Sequence, residues 1–332
     1  MTKSGFGDEP AHATACHVQL SPSYLNLTPD QWADRLAAAN RLLSPCALCP
    51  RECRVDRLAG ETGFCHGGAL ARVASHGPHF GEEAPLVGHG GSGTIFLSGC
   101  NLGCIFCQNY DISHPVAGET PALPAKGAAL RGEEVTAQRL AGLMVSLQQR
   151  GCHNLNLVTP THFLPQILAA IHNAIPLGLR LPIVYNCGGY ESVAALRLLD
   201  GVVDIYMPDA KFLDAAVARR LCQAPDYPER MQAAIREMHR QVGPLQVGPD
   251  GIARRGLLVR HLVMPEGQST TPEVMRFLAS LDPDTYVNVM DQYHPCYRAA
   301  EVPEIARRLT REEYAAALDA ARRAGLRRLD RG

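Results

Sequence analysis

The segment Thr94-Ile-Phe-Leu-Ser98-Gly-Cys100-Asn-Leu-Gly-Cys104-Ile-Phe-Cys107-Gln-Asn109 joins a compact apolar run to a loop carrying three cysteines. Thr94–Ser98 has the length and composition of a buried strand. The cysteines leave it at C-x3-C-x2-C spacing. Three thiolates on one short loop can hold three irons of a [4Fe–4S] cube, leaving the fourth iron for a substrate or cofactor to chelate. A pure electron carrier usually supplies four cysteines, so three point to a cluster that takes part in chemistry. The plain alternative for Cys100, Cys104 and Cys107 is a zinc knuckle or buried thiols.

Strand signals recur downstream at Asn154–Val158, Ile183–Asn186, Val203–Met207, Leu257–Met264 and Tyr286–Met290. Helical patterns separate them. Val135, Leu140, Leu143, Met144 and Leu147 sit at near-helical spacing; Leu164–Ile175, Ser192–Leu199, most of Asp214–Val242 and Pro272–Leu281 read as further helices. Six β units with helical crossovers predict parallel strands. A doubly wound sheet and a partial barrel both put their sites at the carboxyl ends of such strands. Cys100, Thr159, Asn186, Asp209, Pro265 and His294 all fall there. No G-x-G-x-x-G follows the first strand, so a dinucleotide fold is the weaker choice within the expected α/β class. There is no internal repeat.

The expected division is 1–44, an extension with a helix; 45–90, the cysteine-rich module; 91–300, the barrel; and 301–332, a C-terminal helix. In the first, Thr28 caps, Pro29 suits the first helical position, and Trp32 and Leu36 continue the helix until Ser44-Pro45. Ala69–Ser75 reads as a short strand, Gly118–Arg131 as an aperiodic linker and Glu312–Leu326 as the last helix. The 332 residues are 46% apolar and 20% charged, enough to bury a core. Lys plus Arg number 32 against 33 Asp plus Glu, which argues against bulk-charge attachment to nucleic acid or anionic lipid. No apolar run approaches a membrane span, and Met1–Pro10 lacks a signal layout. A cytoplasmic location is expected.

Of the 12 cysteines, seven form two tight groups, and Cys16, Cys152, Cys187, Cys222 and Cys296 are scattered. Clustered thiols in a reducing compartment bind metal or do redox chemistry more often than they form disulfides. Cys46, Cys49, Cys53 and Cys65 are enough to close a site: a structural zinc, a second iron–sulfur cluster passing electrons to the first, or free thiols. Arg51, Arg54 and Arg57 would offset a thiolate charge or form a small patch for a partner. His76, His79, Glu82 and Glu83 read as a metal set or as loop-bracing groups that close over the barrel mouth. Cys187 and Cys296 would lie near that mouth, as hydrogen-atom relays or as buried thiols.

The C-x3-C-x2-C loop resembles that of radical S-adenosylmethionine (SAM) enzymes. More narrowly, His76-Gly-Pro-His79-Phe-Gly-Glu82-Glu83, Gly91–Cys100 and Cys107-Gln-Asn-Tyr-Asp-Ile-Ser113 look like pyruvate formate-lyase activating-enzyme-like proteins, and the Cys46–Cys65 preface fits that branch. The resemblance covers most of residues 45–300. It implies an α/β fold that is a partial (β/α)6 radical SAM barrel with an N-terminal cysteine-rich module, a [4Fe–4S] cluster, SAM chelated on the open iron, and one-electron cleavage to methionine and a 5′-deoxyadenosyl radical that abstracts hydrogen. The hydrogen donor in that branch is a glycine of a partner enzyme, and a reductant such as flavodoxin or ferredoxin is required.

Residue by residue, the resemblance puts Phe106 near the adenine. It makes Asp209 and Lys211, in Met207-Pro-Asp-Ala-Lys211, neighbours of the SAM carboxylate and an associated cation. Arg260 becomes a barrel arginine, and His294 approaches SAM. The usual Gly-Gly-Glu is replaced by Val158-Thr159-Pro160-Thr161-His162, which leaves Thr159 and Thr161 as candidates for the amino group. Asn186, in Asn186-Cys-Gly-Gly189, is a further SAM-side candidate. No catalytic residue is assigned. A radical SAM reaction on a small molecule or another protein, and a non-enzymatic zinc-structured module binding protein or RNA, are the alternatives. A plain electron-transfer protein would need a fourth thiol beside Cys100–Cys107.

Overall fold

The computed structural model describes residues 21–115 and 130–330. Cys16 and most of the Gly118–Arg131 linker lie outside the described residues. The strands are β1 (Ala71–His79), β2 (Ser92–Leu97), β3 (Glu133–Val135), β4 (Leu155–Val158), β5 (Ile183–Cys187), β6 (Ile205–Pro208), β7 (Gln246–Val247), β8 (Ala253–Leu262), β9 (Tyr286–Met290) and β10 (Arg328–Asp330). They form one sheet in the order β10-β9-β8-β6-β5-β4-β2-β1-β3, with β7 paired to β8. The six expected strands, β2, β4, β5, β6, β8 and β9, are mutually parallel and follow one another without a reversal. A doubly wound sheet reverses at its switch point. This one winds in a single direction, as a partial barrel does.

The two-residue side-chain period of a strand sorts the sheet into two faces. Ile183, Tyr185, Tyr206, Leu257, Val259, Val287 and Val289 join the main core under the helices. Their alternates Val184, Ile205, Met207 and Leu258 form a second buried cluster with Leu86, Leu245 and Ala253. That second cluster lines the concave side. Leu86 is fully buried there, delivered by the short helix Ala84–Val87. The same alternation carries Asn156, Asn186, Asp209, Arg260 and Asn288 onto the concave face, so the hollow is apolar at one level and polar at another.

Helices Ala137–Gln149, Leu164–Ala174, Tyr227–Val242 and Thr271–Leu281 each bury one stripe on the convex side. Helix Pro29–Arg41 starts with a Thr28–Gln31 capping box and sets Trp32 against His172, with ring centroids 5.2 Å apart. The last helix, Arg311–Ala324, opens on a Thr310–Glu313 capping box. Three differences from expectation stand out. β1 runs on to His79 because β2 pairs with its polar end, where no hydrophobic alternation signals a strand. β3 and β7 are too short to show a period. The C-terminal segment does more than form a helix: Arg328–Asp330 adds β10 to β9, and the Tyr286 hydroxyl donates to Asp330 at 2.9 Å. Among the described residues, no helix is long and apolar enough to cross a membrane.

Leu86 fills the concave face from a four-residue helix that cannot be stable alone. Leu86→Ala should therefore lower unfolding stability by about 3 kcal/mol, and Leu86→Met by less than about 1.5 kcal/mol. Urea titration of both variants measures the difference.

Candidate active site

The cysteine loop leaves β2 through Gly99, whose φ is +84° and where a Cβ would stand 2.3 Å from the Cys65 carbonyl oxygen. Only glycine fits both the dihedral and the approach. Beyond it, Cys100 Sγ accepts from the Leu102 amide at 3.4 Å. Cys107 Sγ lies 3.2 Å from Ser113 Oγ, itself 2.8 Å from His114 Nδ1. The Arg298 amide donates to Ile105 O at 2.9 Å, so the segment after β9 closes against the loop. Burial, then the neighbouring Cys104, pushes the Cys107 thiol up to about 11. Burial likewise raises Cys100. Lys211 opposes the shift at all three thiols. Three neighbouring sulfurs, Cys104 buried and Cys100 and Cys107 half-buried, beside one ammonium fit a site where thiolates exist only with a cation or metal to hold their charge.

Sequence reading treated Cys222 as scattered, but the structure sets its Sγ 3.1 Å from Cys104 Sγ. The contact with Cys222, ahead of burial, raises Cys104 well above a free thiol. The expectation that no fourth thiol stands beside Cys100–Cys107 is therefore corrected. At 3.1 Å the two sulfurs are closer than two ligands of even one tetrahedral ion, which at metal–sulfur bonds of ~2.3 Å lie ~3.8 Å apart. As placed, Cys222 is a hydrogen-bond neighbour of Cys104 rather than a separate ligand.

On the polar level of the hollow, Asp209 accepts from Lys211 Nζ at 2.6 Å and from Arg260 Nε at 3.0 Å. Arg260 also donates to Asn186 Oδ1 at 2.8 Å. Burial alone would raise the Asp209 carboxyl, but Arg260 and Lys211 outweigh it and hold Asp209 below its ordinary value. The Tyr227 hydroxyl fixes the loop from behind, donating to Asp209 O at 2.8 Å. Glu82 and Glu83 approach Arg260 from the other side, each 4.0 Å away. Asn288 donates to Glu83 at 3.1 Å. Among the described residues, Glu83 Oε2 is buried without a hydrogen-bond partner, and the buried Asn156 amide has no close partner beyond the neighbouring Glu82 carboxyl. Unmatched polar atoms on an enclosed face are what a polar ligand would satisfy.

Four of the expected SAM-side residues, Asn186, Asp209, Lys211 and Arg260, thus meet in one network. The others are placed differently. Phe106 is buried between Phe212 and Tyr293, with ring centroids 6.1 and 6.5 Å away. Thr159 sits just past β4 at φ +59°, costly for a β-branched residue, with its amide donating to Asn186 O at 2.9 Å. The Thr161 hydroxyl is committed to Glu191 at 2.6 Å. His294 touches its own loop, its Nδ1 lying 3.3 Å from Gln292 O. Cys187 is buried at the end of β5, and Cys296 is half-buried beside the cysteine loop. His79, Glu82 and Glu83 do not assemble as a metal set: His79 packs edge-on against Phe96, and the two glutamates turn to Arg260 and Asn288.

The first cysteine group lies directly against this loop. Cys46, Cys49, Cys53 and Cys65 line one small cavity with Arg51, Arg57 and His162. Among the described residues, no three His, Cys, Asp or Glu side chains converge as the shell of a single ion. The three arginines separate into distinct roles. Arg54 is exposed and paired with Glu52. Arg51 stacks on Phe64 at 3.8 Å and donates to the carbonyls of Asn101 and Gln223. Arg57 is buried.

No family model matches the chain. The uncharacterized protein MJ0674 of Methanocaldococcus jannaschii is 32% identical to it over 295 residues, 88% of this chain and 78% of the relative. The chain belongs to the family of that protein. Solved structures similar to it include a radical SAM methyltransferase from Sphaerobacter thermophilus (15% identity, TM-score 0.45, covering 72% of this chain and 67% of the other). Methylornithine synthase is a second (14% identity, TM-score 0.43, 71% and 70%). A third is HydG, a maturase of the [FeFe]-hydrogenase (12% identity, TM-score 0.47, 70% and 49%).

Glu191 is the acid that sequence reading missed. It is fully enclosed and accepts from Thr161 at 2.6 Å and Tyr185 at 3.1 Å, and burial pushes its carboxyl up to about 7. A folded-state value above the unfolded one means that its contribution is most favourable below about pH 4.5 and declines until pH passes about 7. Glu191→Gln, which stays neutral, should therefore gain on wild type as pH rises from 5 to 8. Thermal melts at the two pH values test this; a difference independent of pH contradicts it.

Proposed function

We propose that this protein is a radical SAM enzyme, with Cys100, Cys104 and Cys107 holding a [4Fe–4S] cluster. The observation that carries the reading is the placement of three coupled thiols at the carboxyl edge of the first parallel strand, facing Lys211 and the Asp209–Arg260–Asn186 network. When bound, a reduced cluster with SAM on its open iron supplies one-electron cleavage of the C5′–S bond and hence a carbon radical able to take hydrogen. The chain's own contribution is binding and exclusion of water. Lys211 and Arg260 offer donors to a carboxylate, while Asp209 and Asn186 offer acceptors to an ammonium. Leu86 and its apolar neighbours close the hollow from below, which keeps solvent from a reactive radical. Were Cys104 bound to iron as a thiolate, Cys222 would become the donor of their 3.1 Å contact, the kind of hydrogen bond that tunes cluster potential.

The finer reading is hydrogen abstraction from a glycine of a partner protein. It rests on the resemblance of the His76–Glu83, Gly91–Cys100 and Cys107–Ser113 motifs to activating enzymes. A one-electron donor such as flavodoxin or ferredoxin would serve the cluster. A small-molecule substrate fits the hollow's Asn156 and unmatched Glu83 equally.

Anaerobic reconstitution, reduction with dithionite and incubation with SAM should yield 5′-deoxyadenosine from the wild type and none from Cys104→Ala. Colourless protein carrying zinc alone after reconstitution would contradict the reading and leave a metal-structured binding module.

A further inference from the structure

Arg57 is 1% exposed, and no carboxylate among the described residues lies within ion-pair distance of it. Its guanidinium donates only to main-chain carbonyls: Nε to Gly68 O at 3.1 Å, Nη2 to the same oxygen, and Nη1 to His162 O at 2.6 Å. Three of its five N–H groups are matched in this way. Beyond those carbonyls it meets the Phe163 ring, 5.6 Å away, and a buried cation so placed is expensive unless a negative charge stands nearby. The cavity that Arg57 lines is walled by Cys46, Cys49, Cys53 and Cys65. Gly67 is shaped to this arrangement, since a Cβ there would come within 2.8 Å of Arg57 Nη2 and 3.1 Å of the His162 ring.

His162 supplies a second, independent observation. It is 1% exposed and lines the same cavity. Nε2 lies 2.8 Å from Ser98 O, and a carbonyl can only accept, so Nε2 carries the proton and Nδ1 presents a lone pair. Nδ1 is buried with no hydrogen-bond partner among the described residues. The cavity therefore collects four sulfurs, one unsatisfied imidazole nitrogen and one uncompensated guanidinium.

We propose that Cys46, Cys49, Cys53 and Cys65 form a second metal centre of thiolate ligands, with the buried Arg57 as its internal countercation. An iron–sulfur core held by four thiolates carries net negative charge, and so does a single zinc ion, for which these side chains would first have to draw together because they do not converge as one ion's shell. That charge is the partner Arg57 lacks. His162 lines the same cavity, and its unprotonated Nδ1 would serve there as a further ligand rather than as a partner of the thiolates. The proposal does not depend on SAM chemistry at Cys100–Cys107. The two are joined mechanically, because His162 binds the carbonyl of Ser98, and Cys65 packs on Gly99, just ahead of Cys100.

The test is metal counting on full-length protein in the Cys104→Ala background, where the first cluster is disabled. Retained zinc near one per chain, or iron with equal sulfide, supports the proposal and says which metal is held. Adding Cys49→Ser and Cys65→Ser should remove that metal. Arg57→Met should retain it roughly 10- to 100-fold less well against a chelator, and Arg57→Lys should recover much of the loss. Folded, metal-free Cys104→Ala protein overturns the centre, and Arg57→Met protein that keeps its metal as the wild type does overturns the countercation. Should a variant not fold, iodoacetamide labelling of the wild type decides. Cys46, Cys49, Cys53 and Cys65 should be protected as purified and labelled after chelation, and equal labelling before and after contradicts the proposal.

Discussion

The Asp209 carboxylate is the tie on which the interior depends. It sits just past β6, holds Lys211 from its own loop and Arg260 from β8, and through Arg260 reaches Asn186 at the end of β5. Removing Asp209 would strand two half-buried cations at once, which is costlier than never having gathered the set. Because the tie spans three neighbouring strands, it fixes their carboxyl ends relative to one another. The cysteine loop then has a rigid, charged surface to face. The Asp209 loop is itself held from behind by Tyr227, whose hydroxyl donates to Asp209 O, lies 3.0 Å from Gly188 O and accepts from the Lys211 amide.

The hollow is built by a strand's simplest property. Side chains that alternate outward meet helices and are apolar; those that alternate inward are apolar near Leu86 and polar near Asp209. The two levels divide the work. The apolar level closes the base, and the polar level offers Asn156, Asn186, Glu83 and Arg260 to whatever enters. The cysteine-rich module adds a third layer, pinned to the cysteine loop by Arg51 at Asn101 O and by the close approach of Cys65 to Gly99.

Much of this was legible in the chain. The six parallel strands announced themselves because each is short, apolar and flanked by helical periodicity, and the C-x3-C-x2-C spacing is local. Asp209 could be placed because it stands just past a strand, whereas the family resemblance singles out Lys211 and Arg260. The missing parts are contacts between distant residues or elements too short to carry a pattern. Cys104 and Cys222 are 118 positions apart, and Arg57 and His162 are separated by 105. No spacing rule reaches that far. The Ala84–Val87 helix and β10 have too few residues for a period and exist because neighbours bury or pair them. Glu191 follows two glycines and a tyrosine in a turn, and only its enclosure makes it unusual. His294 lies at a strand end like the others, yet its ring turns back on its own loop.

The central claim is that Cys100, Cys104 and Cys107 leave one iron of a cluster open to SAM. Electron paramagnetic resonance of the reconstituted, reduced protein, recorded with and without SAM, addresses it most directly. The account predicts a reduced-cluster signal whose g values move when SAM is added. A signal unchanged by SAM at saturating concentration would mean that the cluster has no open iron for it, and would contradict the account.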